Sequence, residues 1–156
     1  MAPTGAVIVT GGAGFIGSTL ADALVAAGRE VHVVDDLSTG HLRNVPSEAF
    51  LHEADIRDAA TMLDVASRSG AATIFHMAAQ ADVRKAIENP AFDADVNIAG
   101  TLSILEAARQ VGARVVFAAT GGGSYGEYDG LSIPTPETAE PRPMSHYGQS
   151  KLAGEG

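Results

Sequence analysis

The chain has no cysteine among its 156 residues. That excludes a disulfide framework and any thiolate nucleophile or thiolate metal ligand. Positive charge is scarce: 10 Lys and Arg stand against 19 Asp and Glu, for a formal net charge of −9. Nucleic acids and anionic membranes are bound through Lys and Arg, so neither is expected as a partner. A small phosphate ligand is not excluded, because backbone N–H groups at a helix end can hold it. No apolar run approaches the ~20 residues of a membrane span. The opening residues, Met1-Ala2-Pro3-Thr4-Gly5, lack the basic and apolar regions of a secretory signal, so the cytoplasm is the expected location. The five histidines (His32, His41, His52, His76 and His146) are scattered without ligand spacing, and no metal is expected.

What remains is a globular composition, 46% apolar and 19% charged, in a chain long enough for one domain with its own core. Its most informative stretch is Thr10-Gly11-Gly12-Ala13-Gly14-Phe15-Ile16-Gly17, directly after the apolar run Ala6-Val7-Ile8-Val9. A buried strand there runs into a glycine turn, and a helix opens beyond it. Such a turn brings backbone N–H groups and the positive end of a helix to a pyrophosphate. Gly11 permits the tight turn, Gly14 leaves room for phosphates, and Gly17 lets the helix pack closely. The second strand ends in Asp35, about twenty residues on, where a carboxylate accepts hydrogen bonds from an adenosine ribose and repels a 2′-phosphate. The next basic side chain after it is Arg43, so NAD is expected rather than NADP. Asp36 reads better as a turn cap than as a ligand contact.

Strand and helix patterns alternate along the rest of the chain. Strands are predicted at 7–10, 30–35, 49–54, 72–76 and 114–119. Helices are predicted at 15–27, stopped by Gly28; at 58–69, capped by Asp58; over a long stretch 90–111, with Val96, Leu102, Leu105 and Ala108 apolar; and from Ser145 onward. Segments 37–46 and 127–143 read as loops. Strands joined by helical crossovers imply an α/β fold with a doubly wound parallel sheet and a ligand site outside the strands' carboxyl ends. The chain stops a few residues into its last helix, at Gly154-Glu155-Gly156, so it is expected to be the first part of something longer.

Chemistry-bearing residues gather near that end. Tyr147 and Lys151 stand four apart, on one face of a helix. A free phenol titrates near pH ~10. An ammonium about 4 Å away at an effective dielectric of 20 is worth up to roughly 4 kcal/mol, enough to bring the phenol toward a working base. A hydroxyl partner is expected at the end of the fifth strand. Thr120 is the first candidate and Ser124 the second, with Gly121-Gly122-Gly123 between them suggesting close approach of backbone to a ligand.

These segments resemble the extended short-chain dehydrogenase/reductases, and most closely the UDP-glucose 4-epimerase-like nucleotide-sugar epimerases. The likeness rests on residues 10–17, on Val33-Val34-Asp35-Asp36-Leu37-Ser38-Thr39-Gly40, on Ala54-Asp55-Ile56-Arg57-Asp58, on His76-Met77-Ala78-Ala79-Gln80, on 97–101 and on 147–154. It implies a Rossmann fold truncated before its substrate domain. It also implies an NAD site built from Gly11, Gly14, Phe15, Ile16, Gly17 and Asp35, with Asp55 and Ile56 at the adenine and Ala78 and Ala79 along the phosphate–ribose path. Asn97 is also counted among the cofactor-binding residues and would fix the active-site side of the long helix. Thr120, Tyr147 and Lys151 would be the catalytic set, with Tyr147 and Lys151 also against the cofactor and Thr120, Ser124 and Tyr147 against substrate. Tyr125-Gly126-Glu127 resembles the family's Tyr-Gly segment, although residues 119–125 run one residue longer than in many relatives.

The implied reaction is C4 epimerisation of a nucleotide sugar, most simply a UDP-hexose, through a 4-keto sugar with NAD recycled in place. A 4,6-dehydratase is the nearest rival among the extended oxidoreductases. It would need an acid pair after the threonine, where Gly121 and Gly122 stand. A non-catalytic dinucleotide-binding module is the alternative of another class. The short length favours the module, and the Tyr147–Lys151 pair opposes it. The resemblance also implies a homodimer at full length, formed through helices such as 90–111 and the last one, and little turnover by these 156 residues alone.

Overall fold

A computed structural model describes residues 5–126 and 133–156. Five strands form one sheet: β1 (Val7–Thr10), β2 (Val31–Asp35), β3 (Phe50–Glu53), β4 (Thr73–His76) and β5 (Arg114–Phe117). Their order is β3-β2-β1-β4-β5 and every neighbouring pair is parallel. All four residues of β1 are buried, as a central parallel strand covered on both faces must be. In register, Val9 lies between Val33 and Phe75, and Thr10 between Val34 and His76.

The helices in chain order are α1 (Phe15–Ala26), α2 (Ala59–Ser69), α3 (Val83–Glu88), α4 (Pro90–Ala94), α5 (Gly100–Val111), α6 (Gly121–Tyr125) and α7 (His146–Glu155). Alternation along the strands sends successive side chains to opposite faces. On one face Val7, Val9, Val31 and Val33 pack with Ala21, Leu20, Leu24 and Val25 of α1. On the other, His76 accepts or donates one ring hydrogen bond to Thr10 Oγ1 at 2.7 Å and one to Thr101 Oγ1 of α5 at 3.1 Å. Helices on both faces, with strand order reversing beside β1, make the sheet doubly wound. The expected Asp58 cap is present: its carboxylate accepts from Thr61 N at 3.1 Å and Thr61 Oγ1 at 2.7 Å. No helix among the described residues is long and apolar enough to cross a membrane.

By internal contacts the chain divides into two units. Met1–Ala79 with Ala99–Ala118 holds the sheet, α1, α2 and α5. Gln80–Ile98 with Ala119–Gly156 holds α3, α4, α6 and α7, with α7 packed on the other three helices.

The structure differs from the sequence reading at three places. The stretch 90–111 is not one regular helix. α4 gives way to a π-turn over Asp95–Ala99 before α5 begins. The buried face of α5 includes Thr101, Ile104, Ala107 and Ala108, while Leu102 and Leu105 point outward, 60% and 42% exposed. Second, α3 was not expected: its apolar residues Val83, Ala86 and Ile87 have helical spacing but span little more than one turn, and only Ala86 is buried. Asp82 caps it by accepting from Arg84 N at 2.8 Å. Third, β5, expected to run to 119, ends at Phe117, and Gly121-Gly122-Gly123, expected only as backbone near a ligand, open the short helix α6. Of the loop expected at 127–143, and of the Tyr125-Gly126-Glu127 segment, residues 127–132 lie outside the described residues; 133–143 form neither helix nor strand.

Candidate functional site

One group of candidate residues surrounds the turn between β1 and α1. Gly11 has φ +67°, and a Cβ there would sit 2.7 Å from the backbone nitrogen of Ala78. Only glycine meets both demands at once. A Cβ on Gly17 would run into the Gly11 carbonyl oxygen, so the closeness Gly17 permits is between helix and turn. A Cβ on Gly14 would meet only that same oxygen, at 3.3 Å, and otherwise project into open space. Gly14 occupies the N-cap position of α1 with no side-chain cap bond and no acidic residue follows in the first turn. The helix therefore presents backbone donors and the positive end of its dipole without a built-in anion. Phe15 and Ile16, in the first turn, are 87% and 68% exposed.

Asp35 closes this turn from the end of β2. It is buried, and its two oxygens accept from Ala13 N and Leu37 N, each at 2.9 Å. The following loop is drawn tight around it. A Cβ on Gly40 would lie 2.8 Å from Ala13 Cβ and 2.9 Å from Asp35 Oδ1. Asn44 Nδ2 donates to the Ala13 carbonyl at 2.9 Å. Leu37 takes φ +56°, a left-handed conformation that leucine rarely adopts and that marks stored strain beside the carboxylate. Asp36 caps its own turn, accepting from Ser38 N at 3.0 Å and Ser38 Oγ at 2.6 Å.

The remaining residues expected at the dinucleotide have definite neighbours. Asp55 holds the Arg57 guanidinium, with Nε 3.0 Å from both carboxylate oxygens, and that bonding keeps its carboxyl below the usual range. Ile56 is a core residue against Gly100, where a Cβ would lie 2.6 Å from Ile56 Cδ1. Ala78 N donates to Thr10 Oγ1 at 3.1 Å, and Ala79 follows it, half-buried.

A second group of candidate residues, in the other unit, centres on α7. Ser145 caps it, its hydroxyl accepting from Gly148 N at 3.0 Å. Tyr147 is half-buried, and Lys151, one turn on, is 3% exposed. Burial pushes the Lys151 ammonium down to about 8, with the Asp93 carboxylate opposing that fall. A Cβ on Gly148 would collide with the Gly123 carbonyl oxygen, so glycine lets α7 lie directly on α6. Thr120 is half-buried at the N-cap position of α6 and makes no side-chain cap bond. Ser124 faces inward, 2% exposed, with its hydroxyl unpartnered among the described residues. Asn97 is fully occupied: Oδ1 accepts from Gln80 N at 2.9 Å, and Nδ2 lies 3.0 Å from the Gln80 carbonyl, 3.2 Å from Asp93 Oδ1 and 3.1 Å from Ser150 Oγ.

Residues 7–156 match the profile of the NAD dependent epimerase/dehydratase family. The chain belongs to that family. It is 43% identical over 154 residues to the UDP-glucose 4-epimerase of Mycolicibacterium smegmatis, an alignment covering 95% of this chain and 48% of the relative. Among solved structures, a UDP-glucose 4-epimerase of Thermotoga maritima with UDP-glucose superposes with a TM-score of 0.91 at 42% identity, over 96% of this chain and 48% of that one. The Thermus thermophilus UDP-glucose 4-epimerase in complex with NAD gives a TM-score of 0.90 at 44% identity, with the same coverage. The chain thus spans about half the length of the curated relatives it matches.

Within this family member, the expected site residues fall into two sets. Gly11, Gly14, Phe15, Ile16, Gly17, Asp35, Asp55, Ile56, Ala78 and Ala79 belong to the unit that holds the sheet. Asn97, Thr120, Ser124, Tyr147 and Lys151 belong to the other. Sequence reasoning missed Asp93 and Ser150, which are buried beside Lys151, and Gly40 and Gly148, whose hydrogen side chains permit close approach. Asp93 and Asn97 are polar residues four apart in a helical stretch, a signal that could have drawn attention. Gly40 and Gly148 carry none, because what they approach is distant in sequence.

Proposed function

We propose that this chain carries the NAD-binding part and the acid–base pair of a nucleotide-sugar 4-epimerase that acts on a UDP-hexose. The observation that carries the reading is a buried lysine one helical turn from a half-buried tyrosine, in a chain whose first strand ends in an uncapped glycine turn. A binding module has no need to bury an ammonium, which destabilises the fold; a base that must lose its proton near neutrality does.

The residues fit a dinucleotide. The first-turn N–H groups of α1, which no side chain caps, suit a diphosphate without requiring a cationic side chain, in keeping with the chain's negative charge. Each Asp35 oxygen already accepts one backbone N–H and has a second lone pair for a ribose hydroxyl, while its charge repels a 2′-phosphate. When bound, NAD supplies reversible hydride acceptance at the sugar's C4. The chain supplies the rest. Tyr147 takes the proton of the 4-hydroxyl and returns it. Lys151 stabilises the phenolate by its charge, and Thr120 donates a hydrogen bond to the same substrate oxygen. On this reading most of the sugar's contacts lie in the part of the relatives that this chain does not span, so these 156 residues alone are expected to turn over little. The outward Leu102 and Leu105 of α5 support a homodimer of the full-length enzyme.

Native mass spectrometry of the purified chain offered NAD and NADP tests the first half of the proposal: one NAD retained in preference to NADP is expected. With the full-length enzyme, interconversion of UDP-glucose and UDP-galactose tests the second. Bound NAD that is never reduced by any nucleotide sugar would return the protein to the class of binding modules.

A further inference from the structure

The reaction outlined above does not use Asp93, yet the fold goes to some length to bury it. Its side chain is 1% exposed, at the end of α4. A carboxylate removed from water is tolerated only when hydrogen-bonded and paired with charge. Ser150 Oγ donates to Oδ2 at 2.6 Å, and Gln80 Nε2 and Asn97 Nδ2 donate to Oδ1 at 2.9 and 3.2 Å. Ser150 immediately precedes Lys151 and lies one turn after Tyr147, whose carbonyl its hydroxyl also approaches at 3.0 Å.

We propose that Asp93 is the positioning residue of the Tyr147–Lys151 pair: its carboxylate clamps Ser150, and with it the turn of α7 that bears both side chains, and keeps Lys151 an ammonium in a place that water does not reach. The clamp follows from the three short bonds. The charge effect follows from what else surrounds α7. From α3 come Arg84, Lys85 and Glu88, with Asp82 at its cap, and all four are exposed. The π-turn carries Asp95, exposed; α6 carries Tyr125; α7 itself carries His146, Tyr147 and Glu155. Asp93 is the only fully buried acid among them, and its field opposes the effect of burial on Lys151. The consequence for turnover rests on the epimerase reading; the effect on Lys151 does not.

The chain's lysines are Lys85 and Lys151, so lysine-selective isotope labelling gives two side-chain NMR signals, assigned with Lys85→Arg. Asp93→Asn keeps the shape and removes the charge. The Lys151 titration midpoint is expected to fall by about one pH unit or more, while Lys85 stays where it was. An unmoved or raised Lys151 midpoint overturns the proposal. Should Asp93→Asn not fold, Ser150→Ala serves instead. It leaves the charge in place but releases the clamp, so a smaller downward shift is expected, and no shift again overturns the proposal. In the full-length holoenzyme the alkaline fall of kcat should move to lower pH by the same interval in Asp93→Asn. A wild-type enzyme without turnover, but with a Lys151 midpoint that obeys Asp93, would refute the epimerase reading and uphold this one.

Discussion

Replacing Lys151 with methionine isolates what burying that ammonium costs. Its proton affinity falls from the ordinary 10.5 to about 8. Each pH unit of such a change is worth about 1.4 kcal/mol, so the charged lysine opposes folding by roughly 3 kcal/mol at neutral pH. Between about 8 and 10.5 the unfolded chain keeps a proton that the folded chain has released. Stability therefore rises with pH across that window, and the penalty is complete below it and gone above it. Methionine fills a similar unbranched volume without charge. It also leaves Asp93 facing no cation, which returns part of the gain, so the expected net stabilisation at neutral pH is about 1–3 kcal/mol. Denaturant unfolding of wild type and Lys151→Met across neutral to alkaline pH measures it directly. The difference should shrink to little above 10.5, because every other titrating group cancels between the two proteins. A variant no more stable than wild type at neutral pH, or a gap indifferent to pH, would refute the reasoning. The same variant is expected to abolish turnover in the full-length enzyme, a stabilisation gained by removing a functional group.

Gly17→Ala should destabilise by roughly 1–3 kcal/mol, since its methyl has nowhere to go but the Gly11 carbonyl, and should lose NAD; calorimetry with and without NAD reads both effects. Ser145→Ala removes the α7 cap and should cost about 1 kcal/mol in urea unfolding, with kcat reduced as the helix end frays. Asp35→Asn should narrow the preference for NAD over NADP, measured as a ratio of dissociation constants, and loosen the turn that its carboxylate ties. His52 is held below its ordinary 6.5 by burial first and His32 second, with Asp64 acting the other way. Its contribution to stability is therefore present above 6.5 and lost as pH falls through the lower folded value, so His52→Gln should flatten the acid limb of a stability–pH curve.

How much of this was legible beforehand depends on how far apart the interacting residues lie in the chain. The glycine turn, the acid closing β2, the Asp58 cap and the Tyr147–Lys151 spacing are local patterns, each complete within a few residues, and the structure has each element where the spacing puts it. Asp35 was read only as a ligand contact. The structure adds that it ties Ala13 and Leu37, which a strand-end aspartate does not announce. The π-turn leaves no hydrophobic signature, so 90–111 read as one helix, and within α5 Leu102 and Leu105 have the same helical spacing as buried Thr101 and Ile104, which leaves the inward face to packing.

By itself, then, the order of residues determined the alternation of strand and helix, the glycine turn and the helical face shared by Tyr147 and Lys151, because strand and helix periods act over one or two turns of chain. Tertiary structure alone decided that Lys151 is buried and that Asp93, with Ser150 57 residues away, is its neighbour. Burial and electrostatic pairing depend on what the fold brings into contact, and no local period encodes that.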